Sequence, residues 1–174
     1  MSPIPESACS RRTLHVTVAN EEDTEALGRR LGASVPAGTV IAASGPLGAG
    51  KTVLARGLAA GLGIDPRDVV SPSFVYLVDY DEGRIPFVHA DLYRLGNVPD
   101  TEAAGVYESI GLTSAIASDA IVFVEWWEHY CGPPPRRMVR VELVPGTGNT
   151  REIHLEFSGA GLEAAEQAVA PPLA

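Results

Sequence analysis

Apolar and polar positions along the chain fall into short blocks with two different periods. Leu14, Val16 and Val18 alternate with polar neighbours, which predicts a strand over 14–19. Asn20, followed three residues on by Asp23, has the form of a helix cap with an acidic first turn and predicts a helix over 21–31. TVIAA at 39–43 is a β-branched run leading straight into Gly45, Gly48 and Gly50, after which residues 52–62 take helical apolar spacing. The order is strand, glycine loop, helix. FVYLVDY at 74–80 and IPFVHA at 85–90 are strand-like runs separated by Asp81, Glu82, Gly83 and Arg84, as in a hairpin. A helical stretch over 101–118, broken near Gly111, comes next. AIVFV at 120–124 is apolar at every position, the pattern of a strand covered on both faces, and it stops at Glu125. Near the end, Val139, Val141 and Leu143 alternate with Arg140 and Glu142, and after PGTGN, Ile153, Leu155 and Phe157 alternate with His154 and Glu156. That is an antiparallel hairpin, and the whole reads as an α/β domain with a mixed sheet flanked by helices.

A chain of 174 residues with 45% hydrophobic content can bury one sizeable core, so we assign residues 13–157 to a single domain. Residues 1–12 read as a flexible leader, and 158–174, rich in Ala and Gly, as a weakly ordered tail. Asp and Glu number 22 against 13 Lys and Arg, a net charge of −9 that repels a phosphate backbone and excludes a broad nucleic-acid surface. No apolar run approaches the roughly 20 residues that span a bilayer, and no apolar signal core follows the first charges, so a cytoplasmic protein without a membrane segment is expected. Cys9 and Cys131 give neither a disulfide framework nor a metal pattern. His15, His129 and His154 lack ligand spacing, and His89 reads as a core histidine.

Twelve of the thirteen basic residues are Arg; the one lysine is Lys51. It closes Gly45-Pro46-Leu47-Gly48-Ala49-Gly50-Lys51-Thr52, which fits G-x-x-x-x-G-K-S/T at every fixed position, between a strand and a helix as a P-loop (Walker A) requires. The glycines let backbone N–H groups converge on phosphate oxygens, and the helix starting at Lys51 adds its positive end. Lys51, expected as a crevice charge with no core role, would reach the β- and γ-phosphates of ATP, and the Thr52 hydroxyl would ligate Mg²⁺. The fold class sharpens to a P-loop NTPase-like mixed sheet with a C-terminal antiparallel hairpin. Acidic partners must come from neighbouring strand ends, and Asp91 and Glu125 each close an apolar run. Two other uses of such a site are a small-molecule kinase and a nucleotide-gated binding module without turnover. A kinase needs an Arg-bearing lid, and the basic cluster of Arg136, Arg137 and Arg140 follows the stiff Pro133–Pro135 run. Trp126 and Trp127 are core or interface residues by default.

GPLGAGKT at 45–52, SPSFVYLVDY at 71–80, HADLYRL at 89–95, Gly105 and VEW at 124–126 together resemble the TsaE (YjeE) family of P-loop ATPases in bacterial tRNA threonylcarbamoyladenosine biosynthesis. The resemblance runs from 14 to 157. It implies Lys51 as the phosphate lysine and Thr52 and Glu125 at Mg²⁺, and it matches Asp91 to the aspartate of the family's DLYR motif; beside a metal-bound Glu125, Asp91 is expected to orient the attacking water or the metal's water ligands. It also implies that Ser71, Pro72, Ser73 and Phe74 form a switch-like segment beside the γ-phosphate and that Trp126 is the family's tryptophan, important to activity; following the Glu125 carboxylate, Trp126 is expected to couple the site to a docked surface. The implied activity is slow ATP hydrolysis in support of threonylcarbamoyl-transferase subunits of the TsaD and TsaB type. Ser73 stands where the family usually has Thr, and Trp127 where a turn proline is usual, which leaves the path of the loop after Trp126 open.

Overall fold

The computed structural model describes residues 12–170. In chain order these form β1 (Arg12–Val18), α1 (Glu21–Ser34), β2 (Val40–Ser44), α2 (Lys51–Leu62), β3 (Leu77–Tyr80), β4 (Phe87–Asp91), α3 (Asp100–Ser109), α4 (Leu112–Ala117), β5 (Ile121–Glu125), β6 (Met138–Pro145), β7 (Arg151–Ser158) and α5 (Glu163–Val169). Short 3-10 turns at Tyr93–Asn97 and Trp127–His129 follow β4 and β5. One sheet holds all seven strands in the order β1-β7-β6-β2-β5-β4-β3. The central four, β6, β2, β5 and β4, run parallel; β3 pairs antiparallel with β4 at one edge, β7 antiparallel with β6, and β1 antiparallel with β7 at the other edge, which returns β1 to the direction of the central four. Every residue of β4 and β5 is buried, as expected of parallel strands covered on both faces. The register sets both Ala43 and Asp91 beside Glu125, so the end of β2 and the two acidic strand ends share one edge of the sheet.

The predicted cap of α1 is present: Asn20 Oδ1 accepts from Asp23 N at 2.8 Å, and Asp23 Oδ2 accepts from Ala19 N at 3.1 Å. Helices α1 and α2 then pack with their backbones nearly touching. A Cβ on Gly32 would stand 2.1 Å from Leu58 O, and one on Gly57 2.1 Å from Glu25 O. Alternation divides the sheet's side chains between two cores. Ile41, Phe87, Phe123, Val141 and Leu155 pack with α1, α2 and α5, while Val40, Val88, Ala90, Val122 and Val124 pack with α3 and α4.

The structure corrects the sequence reading at three places. The strand expected from 74 begins only at Leu77, because Val75 N and Tyr76 N both donate to Pro72 O (3.0 and 2.7 Å) and close a turn, with Tyr76 at φ 66°. The tail expected to be weakly ordered instead forms α5 over 163–169. Its Leu162, Ala165 and Val169 are spaced as a helical stripe and are buried in the α1–α2 core. The leader's Arg12 opens β1 and pairs with Glu166 of α5 at 3.0 Å. The rest of the predicted leader, 1–11 with Cys9, and residues 171–174 lie outside the described residues. The predicted break at Gly111 is found there, with φ 82° between α3 and α4.

Candidate functional site

After Ser44 the chain turns through Gly45–Gly50 before α2 begins. Gly45, Gly48 and Gly50 sit at φ 131°, 78° and 103°, a region side chains avoid. At Gly45 a Cβ would also stand 2.4 Å from Leu143 O, so this glycine is required by space as well as by conformation. From β7, Arg151 Nε donates to Ala49 O at 2.8 Å while its Nη2 lies 3.5 Å from the Glu21 carboxylate, tying the loop to the hairpin and to the start of α1.

Lys51 does not stand free in the crevice, as the sequence reading expected. It is 4% exposed, and its Nζ donates to Gly45 O at 2.6 Å and Pro46 O at 3.0 Å. The ammonium also lies 3.8 Å from the centre of a Trp126 ring. Burial lowers the pKa of this ammonium from its ordinary value, and Glu125, Glu128 and Asp91 oppose that shift. Trp126 holds its position in a left-handed conformation, φ 59° and ψ 45°, which is strained for a large side chain. Its ring packs on Tyr93 at 4.9 Å and on His129 at 6.1 Å. Trp127 opens the short 3-10 turn Trp127–His129 and stacks on Tyr130 at 4.2 Å, which is the path this loop takes.

Thr52 Oγ1 donates to Glu125 Oε1 at 2.8 Å. Asp91 is engaged differently. Its Oδ2 accepts from Ser71 Oγ at 2.9 Å and Ser73 Oγ at 2.6 Å, and its Oδ1 accepts from Tyr93 N at 2.9 Å. Lys51, Thr52, Asp91, Glu125, Ser71, Ser73 and Trp126 are thus brought to the same edge of the sheet. Phe74 is 89% exposed and Leu47 82%, so these two apolar side chains point away from the cluster into solvent. Arg137 lies at the opposite end of the strands, where Nη1 donates to Ala37 O at 2.6 Å and Nε to Ala160 O at 2.7 Å. Arg136 lines a cleft beside it, with Pro133, Pro134 and Pro135. Arg140 sits within β6 opposite Glu156, so none of the three forms a lid over the glycine loop.

Two residues of the site escaped the sequence reading. His89, taken for a core histidine, is fully buried but places Nε2 2.9 Å from Glu125 Oε1. Its signal was the two-residue phase that puts it on the same face of β4 as Asp91. Arg151 lies 102 positions from Ala49, and no local pattern announces such a contact. Among the described residues, no group of three or more His, Cys, Asp or Glu side chains could hold a metal unaided. The adjacent Thr52 hydroxyl and Glu125 carboxylate form a small oxygen donor set next to the glycine loop. That set fits Mg²⁺, which keeps most of its coordination for water and phosphate oxygens.

A glycine loop between β2 and α2, with acidic residues at the ends of the neighbouring strands, defines a P-loop NTPase-like α/β protein. The family described as threonylcarbamoyl adenosine biosynthesis protein TsaE matches residues 18–153, and the chain belongs to that family. Among proteins named tRNA threonylcarbamoyladenosine biosynthesis protein TsaE, the one from Mycobacterium leprae is 41% identical over 120 residues, covering 67% of this chain and 73% of the relative. The one from Nostoc sp. is 37% identical over 140 residues, covering 80% and 83%. The crystal structure of Bacillus subtilis YdiB superposes with a TM-score of 0.74 at 26% identity, over 91% of this chain and 95% of that one. No helix among the described residues is long and apolar enough to cross a membrane.

Proposed function

We propose that this chain binds ATP with Mg²⁺ and hydrolyses it slowly in the cytoplasm. The hydrolysis supports the assembly that installs threonylcarbamoyl on the adenosine next to the tRNA anticodon. Its partners in this reading are threonylcarbamoyl-transferase subunits of the TsaD and TsaB type, and the net charge of −9 suits a role that leaves the tRNA itself to them. One observation carries the reading: the hydroxyl of Thr52, next to the lysine of a glycine loop, already donates to the buried Glu125 at 2.8 Å.

The residues divide the work as follows. The loop amides and the free N–H groups at the start of α2 donate to the phosphate oxygens, and Lys51 exchanges its bonds to Gly45 O and Pro46 O for bonds to the β- and γ-phosphates. Thr52 and Glu125 would hold Mg²⁺, which would supply neutralisation of the charge on the phosphate oxygens. Ser71 and Ser73, once released from Asp91, turn toward the γ-phosphate, and Asp91 is then free to orient the attacking water. The water oxygen bonds to the γ-phosphorus as the bond to the bridging oxygen breaks, leaving ADP and hydrogen phosphate, with one water proton kept on the phosphate and the other released to solvent. Lys51 leaving Trp126 carries the nucleotide state outward to the partner surface.

Phosphate release by the purified chain, alone and with the two subunits, tests the whole reading. A low basal rate that depends on Mg²⁺ and rises when the subunits are added supports it. A full rate alone, with no effect on or from the subunits, rejects it. Thr52→Ala is expected to weaken nucleotide binding in Mg²⁺ more than in EDTA; equal weakening in both would remove Thr52 from the metal.

A further inference from the structure

Among the described residues, His89 Nδ1 is the one buried side-chain nitrogen or oxygen without a hydrogen-bond partner. The ring is wholly enclosed, stacked on Phe87 at 6.2 Å and set edge-on to Phe123 at 5.5 Å. An apolar side chain would fill this slot without leaving a nitrogen unpaired, so a histidine here is a poor way to build a core. What it gains lies on the other nitrogen, because Nε2 is 2.9 Å from Glu125 Oε1. A carboxylate only accepts, so this bond needs its hydrogen on Nε2, and Nδ1 is then the bare nitrogen, the cheaper of the two to leave unpaired.

Glu125 Oε1 therefore accepts two bonds, from Thr52 at 2.8 Å and from His89. They differ in kind. Thr52 belongs to the glycine loop and is committed to the ligand, whereas His89 is pinned between two phenylalanine rings in neighbouring strands and has no access to the crevice.

We propose that His89 is a positioning residue, a fixed donor that holds the Glu125 carboxylate in the orientation it needs toward a divalent cation at Thr52. The proposal rests on the reading of Glu125 given above. Partners of this type typically change metal affinity by about 10- to 100-fold when removed.

The test compares His89→Gln, whose terminal amide N–H replaces the Nε2 donor, with His89→Met, which fills the slot and donates nothing. Glu125→Gln serves as the reference. A fluorescent ATP analogue is titrated into each variant across a Mg²⁺ series and in EDTA, with folding checked by circular dichroism. The expected result is an increase of about tenfold in the Mg²⁺ needed for half-maximal binding in His89→Met, near-native behaviour in His89→Gln, and unchanged affinity in EDTA for both. A shifted Glu125→Gln beside an unshifted His89→Met overturns this proposal alone. An unshifted Glu125→Gln removes Glu125 from the metal and takes this proposal with it. If His89→Met does not fold, the ¹⁵N shifts of His89 in the unaltered protein decide the matter. A hydrogen on Nε2 with a bare Nδ1 supports the proposal, and the opposite tautomer overturns it.

Discussion

Helices α1 and α2, on one face of the sheet, meet backbone against backbone at four glycines, where an added Cβ would come within 2.1 to 2.4 Å of a carbonyl oxygen on the facing helix. On the other face, a Cβ on Gly105 in α3 would meet nothing within 4 Å. Among the described residues, the two non-glycine ones with positive φ, Tyr76 at 66° and Trp126 at 59°, pack against that second core. The glycine loop is thus mounted on the interlocked layer, since Lys51 and Thr52 open α2. The turn after Ser71–Phe74 and the indole over Lys51 belong to the looser layer. On the function proposed above, holding phosphate in a fixed cradle and reporting its presence would draw on both kinds of support, and these lie on opposite faces of one sheet.

The largest expected effect breaks the interlock. Gly57→Ala drives a methyl group toward Glu25 O and should destabilise the fold by about 3 kcal/mol. Thermal melting should then fall by about 6–12 °C. Gly105→Ala should do the reverse, stabilising α3 by about 0.5–1 kcal/mol through helix propensity alone. Equal losses at the two glycines would erase the contrast between the layers.

A smaller effect measures the strain at Trp126. Trp126→Ala and Trp126→Gly both delete the indole and its contact with Lys51, and they differ only in the Cβ. Because the backbone is left-handed there, the Gly variant should be the more stable by about 1 kcal/mol, read as a difference in urea midpoints. Were the Ala variant the more stable, the strain assigned to this residue would be absent. Both variants should bind ATP yet respond weakly to added TsaD- and TsaB-type subunits.

The smallest effect concerns the tether of the loop that carries Trp126. Tyr107 donates its hydroxyl to His129 O at 2.6 Å and accepts from Cys131 N at 3.2 Å. Burial first, and the contact with Cys131 second, push this phenol up to about 12. The unfolded chain loses its phenol proton near the usual value of about 10, so the stabilisation is full below that pH and is lost as pH rises toward 12. Tyr107→Phe should therefore flatten the alkaline arm of the stability profile between those values. An unchanged slope would mean the phenol is not the group responsible.

How far could these residues be read in advance? The glycine loop, Lys51, Thr52 and the acidic strand ends were legible because each depends on neighbours in sequence: glycines where φ must be positive, and a carboxylate where an apolar run stops. Asp91 was legible as a position, but not as the acceptor for Ser71 and Ser73, which lie 20 and 18 residues away. The helix at 163–169 was missed because its composition outweighed a three-residue apolar stripe, and only contact with α1 and α2 gives that stripe its value.

By itself, the sequence determined the order of elements, the alternation that sorts residues between two cores, and the glycine loop with its lysine, threonine and acidic strand ends. These follow from local backbone preference and the periods of helix and strand. Tertiary structure alone decided how the parts are paired: His89 with Glu125, Trp126 over Lys51, Arg151 on Ala49, and the serines on Asp91. Each pairing joins separate strands, loops or helix ends, and its distance is set by sheet register and layer packing, which no stretch of chain carries alone.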